Sequence, residues 1–169
     1  CGWLSAHSPM NAVFYMCGIS GFCDFSKNFK KEPVLWEHIL TDMHHTLAHR
    51  GSDSFGTYLD THVGLSHARL SIRDIAGGSQ PIIRQDGERT CAIVYNGEIY
   101  NTDELLPPLL AAGYTFSTTS DTEVILCAYL HYGRDFVRRL NGIFAFVIWD
   151  GRTRELLLYR DRAGTKPLF

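Results

Sequence analysis

Seven successive residues, Ile143 to Trp149 (IFAFVIW), are apolar, and the turn pair Asp150-Gly151 follows at once. A run so short, so apolar and so bounded reads as a strand covered on both faces. Leu156 to Tyr159 then reads as the return strand of a hairpin. A strand that water touches on neither side needs one layer above it and another below, which restricts the chain to a layered architecture.

The other elements must supply those layers. Cys17 to Phe25 is small, apolar and aromatic, as in a buried strand. Further strands are expected at about 56–60, 62–70, 82–85 and 90–95. Pro33 suits a first helical turn, and Leu35, Trp36, Ile39, Leu40, Met43 and Leu47 keep helical spacing, so a helix is expected over about 33–48. His49-Arg50-Gly51-Ser52-Asp53 closes it with turn formers. Asn96-Gly97, after Tyr95, is a dipeptide that tolerates positive φ and predicts a tight turn where a strand ends. A helix of about 103–112 would be capped by Thr102 or Asp103 and closed by Gly113. The next would be capped by Ser120 or Asp121 and closed by Gly133, with a shorter helix over about 134–140. Strands and helices do not alternate strictly, so the expected class is α+β.

At 169 residues the chain has room for one domain with a sizeable core. The formal charge is −2 and no Lys/Arg run exceeds two residues, so nucleic acid and anionic membrane are poor partners. Five cysteines at wide spacings, without a CxxC, argue against a disulfide framework and a zinc site and favour a cytoplasmic setting. His45 and His49 lie one helical turn apart without the carboxylate that a zinc-protease pattern places between them, so no metal is expected.

Met16-Cys17-Gly18 is an unusual way to enter a strand. If Met16 is the true start, methionine removal leaves Cys17 with a thiol and a free α-amine, a nucleophile carrying its own base. Fifteen residues (CGWLSAHSPMNAVFY) precede Met16 without clear periodicity. They are expected to lie outside the mature fold, as translated sequence upstream of a misassigned start, a tag, or a propeptide.

Several residues make sense together as a site that hydrolyses an amide. Cys17 would attack the carbonyl, and Asn96 with the Gly97 N–H could donate to the resulting oxyanion. Arg69 could bind a substrate carboxylate through a two-pronged bond, and Glu98 and Asp121 could hold an ammonium. Each residue taken alone has a plainer reading: a hairpin turn, a helix cap, a surface arginine, an inert core thiol.

Their occurrence in longer strings decides between these readings. MCGISGF resembles the start of class II glutamine amidotransferases. HRGSDSFG, LSHARLSIRDIAGGSQPI, YNGEIYN, SDTEVIL, LNGIFAFVIWD and RDRAGTKPLF follow in the order found in glutamine-hydrolysing asparagine synthetases, from Met16 to Phe169. YNGEIYN together with RLSI resembles this branch and not the glucosamine-phosphate synthase and phosphoribosylpyrophosphate amidotransferase branches, which carry a different residue before Asn-Gly.

The resemblance implies a four-layer αββα sandwich of the N-terminal-nucleophile hydrolase type. It implies a leader over 1–15 and a C-terminally truncated glutaminase domain over 16–169. Cys17 would attack the side-chain amide of L-glutamine with its α-amine as base, through a water, giving a γ-glutamyl thioester that water releases as glutamate. Asn96 and Gly97 would form the oxyanion hole. Arg69 would bind the glutamine carboxylate, with the Leu70 and Ile72 backbone lining the pocket, and Glu98 and Asp121 the ammonium. No cofactor is implied for this domain. ATP and Mg belong to a C-terminal synthetase domain, the implied partner, and family members are often dimers. The chain departs from the family at Ser52, usually Pro, and at Gly164-Thr165, usually Gly-Val, and it lacks the Ser-Gly-Gly-x-Asp pyrophosphate loop. Two alternatives accompany this reading: an amidotransferase of another biosynthetic pathway, and a silent domain whose amino terminus stays blocked.

Overall fold

The computed structural model describes residues 17–47, 54–69, 79–87 and 89–169. Two antiparallel sheets lie face to face. One has the order β1 (Gly18–Cys23), β3 (Val63–Arg69), β2 (Ser54–Leu59); the other is β4 (Ile82–Asp86), β5 (Arg89–Ile99), β6 (Gly142–Asp150), β7 (Glu155–Arg160).

β6 is the strand that the apolar run demanded. Its alternate residues point to opposite sides, and each side meets its own core. Val147 and Trp149 join Ala92, Val94, Val63 and Leu65 between the two sheets. Phe144, Phe146 and Ile148 turn the other way, onto the buried face of α3 (Asp121–Tyr132). Trp149 anchors the sheet-on-sheet layer with a polar contact as well, its Nε1–H donating to Asp60 Oδ2 at 2.9 Å.

α3 is apolar on almost every side, and Thr122 through Tyr129 are all buried. A helix of that kind needs neighbours all round. It has β5 below, α2 (Thr102–Ala111) beside it and a 3-10 segment, Gly133–Arg139, following it. On the far side of the molecule α1 (Pro33–Thr46) covers β3, β2 and β1. Phe22, Phe29 and Trp36 cluster there with ring centroids 4.4–5.3 Å apart. The layers therefore run α1, three-stranded sheet, four-stranded sheet, α2 with α3, the αββα sandwich expected.

Four details differ from the sequence reading, and one open alternative is settled. The Asn96-Gly97 turn is absent, because β5 continues through both residues to Ile99, pairing Asn96 with Ala145 and Gly97 with Phe144. The glycine is needed for close approach instead of positive φ: a Cβ at position 97 would lie 2.2 Å from the Ile143 carbonyl oxygen. The residue capping α2 is Asn101, and its side chain is used elsewhere, accepting from the Asn141 N–H and donating to the Arg139 carbonyl, each at 2.9 Å. The helix expected at 134–140 is 3-10 over Gly133–Arg139, and a second 3-10 turn, Phe29–Lys31, precedes α1. Of the α3 alternatives, Ser120 is the cap, its Oγ accepting from the Thr122 N–H at 3.1 Å, and Asp121 begins the helix. The expected turn at 49–53 lies outside the described residues.

Candidate active site

Cys17 sits one residue before β1. The register pairs Gly18 with Ala68, so one step further places Cys17 opposite Arg69. Alternation then puts both side chains on the face of Ile19 and Leu65, which looks at the second sheet. On β5 the same logic turns Asn96 toward the first sheet, along with Ala92 and Val94. The two sheets thus bring Cys17, Arg69 and Asn96 to the walls of one cavity of about 770 Å³, lined also by Gly97, Glu98 and Asp121. All six described residues expected at the site meet there. Leu70 and Ile72 lie outside the described residues.

The backbone of β5 explains why the cavity opens at Gly97. In an antiparallel strand, alternate N–H groups point to the same side. Odd-numbered residues of β5 face β4, which pairs with it as far as Ile82 opposite Ile93. Pro81 has no N–H, and the ladder stops there. The next partner, Gln80, takes over with its side chain, and its Oε1 accepts the Tyr95 N–H at 2.6 Å. Four residues on, the Ile99 N–H donates to Asp121 Oδ2 at 3.1 Å. The Gly97 N–H lies between these two on the same side, at the cavity wall. A strand edge whose flanking donors are held by side chains thus presents a backbone N–H beside the Asn96 carboxamide.

The polar surroundings are tightly bonded. Burial, with the Arg69 cation beside it, outweighs the bond to the Tyr95 carbonyl and pushes His67 down to about 4. The ring is therefore neutral, and its Nε2–H donates to that carbonyl at 3.2 Å. Asp121 Oδ2 also accepts from the Tyr95 hydroxyl at 2.6 Å. Burial raises the Asp121 carboxyl above its ordinary range, with bonds from Tyr95 and Ile99 opposing. Glu123, buried in the first turn of α3, accepts from the N–H and hydroxyl groups of both Ser117 and Thr118 and so shapes the loop bordering the cavity. Burial raises the Glu123 carboxyl, but those bonds prevail and hold it low.

Tyr95, Gln80 and His67 were not singled out from the sequence. Tyr95 stands next to Asn96, yet its part in the site appears only once alternation turns its ring toward α3. Gln80 and His67 act across strands, which local spacing does not reveal. Among the described residues, no group of three or more His, Cys, Asp or Glu side chains is placed to hold a metal ion, and no helix is long and apolar enough to cross a membrane.

A glutamine amidotransferase domain family matches residues 16–169. Asparagine synthetase [glutamine-hydrolyzing] 3 of Bacillus subtilis is 44% identical over 154 residues, covering 91% of this chain and 24% of that protein. Amidase chyE of Penicillium rubens is 39% identical over 161 residues, with the same 91% and 24% coverage. The chain thus spans about a quarter of the length of these curated relatives. Among solved structures, the glutamine phosphoribosylpyrophosphate amidotransferase of Bacillus subtilis superposes with a TM-score of 0.53 at 24% identity, over 64% of this chain and 25% of that one, a likeness of fold. A family match across nearly all of the chain, and relatives so similar over the same span, place it plainly: the chain belongs to the glutamine amidotransferase domain family, an enzyme family.

Proposed function

We propose that the chain hydrolyses the side-chain amide of L-glutamine at Cys17. The supporting observation is the convergence of Cys17, Arg69, Asn96, Gly97, Glu98 and Asp121 on one cavity. The Cys17 sulfur adds to the amide carbon, and the carbonyl oxygen becomes an oxyanion between the Asn96 carboxamide and the Gly97 N–H. The free α-amine of a chain beginning at Cys17 takes the thiol proton, through a water, and returns it to the departing nitrogen. Ammonia leaves and a γ-glutamyl thioester remains. Water then adds to the thioester, releasing glutamate and restoring the thiol. Arg69 binds the α-carboxylate and Asp121, with Glu98 at the rim, the α-ammonium.

In the protein of which this domain would form part, the ammonia passes to an ATP- and Mg-dependent synthetase domain that amidates aspartate. The coverage of about a quarter of the asparagine synthetase relatives supports that arrangement. A second reading, in which the acceptor is another carboxylate, draws on the similarity to amidase chyE.

The test is glutamate release from glutamine by the chain prepared with Cys17 at its amino terminus, against its Cys17→Ala variant. Release by the first and none by the second is expected. Equal rates from both would contradict the proposal.

A further inference from the structure

Tyr95 occupies a position that the proposed chemistry does not use. Its backbone lies in β5 directly before Asn96, its side chain points away from the inter-sheet space, and the residue is 3% exposed. Three side chains fasten it. Gln80 Oε1 accepts its N–H at 2.6 Å, His67 Nε2 donates to its carbonyl at 3.2 Å, and its hydroxyl reaches Asp121 Oδ2 at 2.6 Å. Gln80 is held in turn, its Nε2–H donating to Thr122 Oγ1 at 3.3 Å, on the residue following Asp121. β5 and the first turn of α3 are thereby joined through one tyrosine. All the residues of this network line the cavity.

The arrangement does more than fill space. A carboxylate at the start of a helix has several rotamers, and burial alone favours its neutral form. The short hydroxyl bond from Tyr95 and the Ile99 N–H converge on Oδ2 of Asp121. Two donors to one oxygen fix the side-chain rotation and stabilise the anion that an ammonium ligand requires. Phenylalanine at this position would keep the ring and its packing beside Phe146, whose centroid lies 6.4 Å away, and would remove only the donor.

We propose that Tyr95 is a positioning residue for substrate selection: its hydroxyl, on a strand fastened by Gln80 and His67, holds Asp121 where it reads the α-ammonium of glutamine. The inference rests on the reading of Asp121 as the ammonium site. Tyr95 touches neither the amide being cleaved nor the nucleophile, so its effect falls on binding and not on the chemical step.

The experiment compares glutamine with 4-carbamoylbutanoate, which is glutamine without its α-ammonium, as substrates of the active enzyme and its Tyr95→Phe and Asp121→Asn variants. Tyr95→Phe is expected to raise KM for glutamine by about tenfold, the cost typical of one hydrogen bond to a charged group. Its kcat should stay within about twofold, as for an interaction made equally in ground and transition states, and kcat/KM for the amine-free substrate should be unchanged. Equal losses on both substrates, or a fall in kcat at constant KM, would overturn the inference. Asp121→Asn separates the levels of the argument. If it abolishes the preference for glutamine while Tyr95→Phe leaves that preference intact, the ammonium site stands and the role of Tyr95 falls. If Asp121→Asn itself leaves the preference intact, both fall together.

Discussion

Asn96 and Gly97 are neighbours in β5 that serve the proposed oxyanion in different ways, one through its side chain and one through its backbone. The sequence pointed to both residues but for the wrong local reason. A dipeptide that tolerates positive φ usually marks a turn, whereas here the constraint on position 97 comes from β6, whose Ile143 carbonyl leaves no room for a Cβ. That clash is between strands far apart in sequence, so no local pattern carries it. Cys17, Arg69 and Asp121 were legible because their residue types fit the chemistry and their strings fit the family. Tyr95, Gln80 and His67 were not, because their bonds exist only once the register is set. Asn96→Ala should lower kcat for glutamine hydrolysis by about 10²–10³-fold, the usual effect of deleting one oxyanion donor, and leave KM within a few-fold. Steady-state kinetics on the two proteins decide it; a wild-type kcat in the variant would remove Asn96 from the oxyanion hole.

Among the elements, β6, α1 and α3 were read from the chain with ends within two residues or so, because apolar runs and helical spacing report burial directly. The 3-10 turn before α1, the 3-10 character of Gly133–Arg139 and the cap of α2 were missed, since they depend on which side chains the tertiary structure has already taken. The segment after β7 belongs to the same group. Asp161 follows β7 at once and gathers the chain behind it, Oδ2 accepting from the N–H groups of Phe144 at 3.2 Å and Lys166 at 3.0 Å, and Oδ1 from that of Thr165 at 2.9 Å. Arg160 closes the loop, donating to the carbonyls of Lys166 and Gly164. The departure Gly164-Thr165 from the family pattern therefore falls in a turn held by backbone donors, which the residue change leaves in place. Burial would raise the Asp161 carboxyl, but those N–H groups outweigh it and draw it down to about 2. A depressed folded-state value contributes stability above the unfolded value near 4 and loses it as pH falls toward 2. Asp161→Asn should therefore melt at a lower temperature than the parent at pH 7 and pH 5, and the gap should close below pH 4. A gap that persists at pH 2 would mean the carboxylate charge is not what holds the loop.

At the scale of the whole molecule, the layering is what makes a site possible. The three-stranded sheet supplies Cys17 and Arg69, the four-stranded sheet supplies Asn96, Gly97 and Glu98, and α3 supplies Asp121. None of these elements alone holds both the proposed nucleophile and the proposed oxyanion donors, so loss of the sheet-on-sheet core should cost activity before it costs secondary structure. Trp149, 1% exposed and bonded to Asp60, is the largest side chain in that core. Trp149→Ala should destabilise the fold by about 3–5 kcal/mol, read as a shift of the denaturation midpoint; a shift under about 1 kcal/mol would place the core elsewhere. Whether Cys17 carries the glutamyl group is decided by acid-quenching the enzyme during turnover of glutamine and mapping its peptides by mass. The account predicts one γ-glutamyl group on the peptide containing Cys17 and none in Cys17→Ala. Turnover at the full rate with that peptide never acylated, or with the label on another residue, would contradict it.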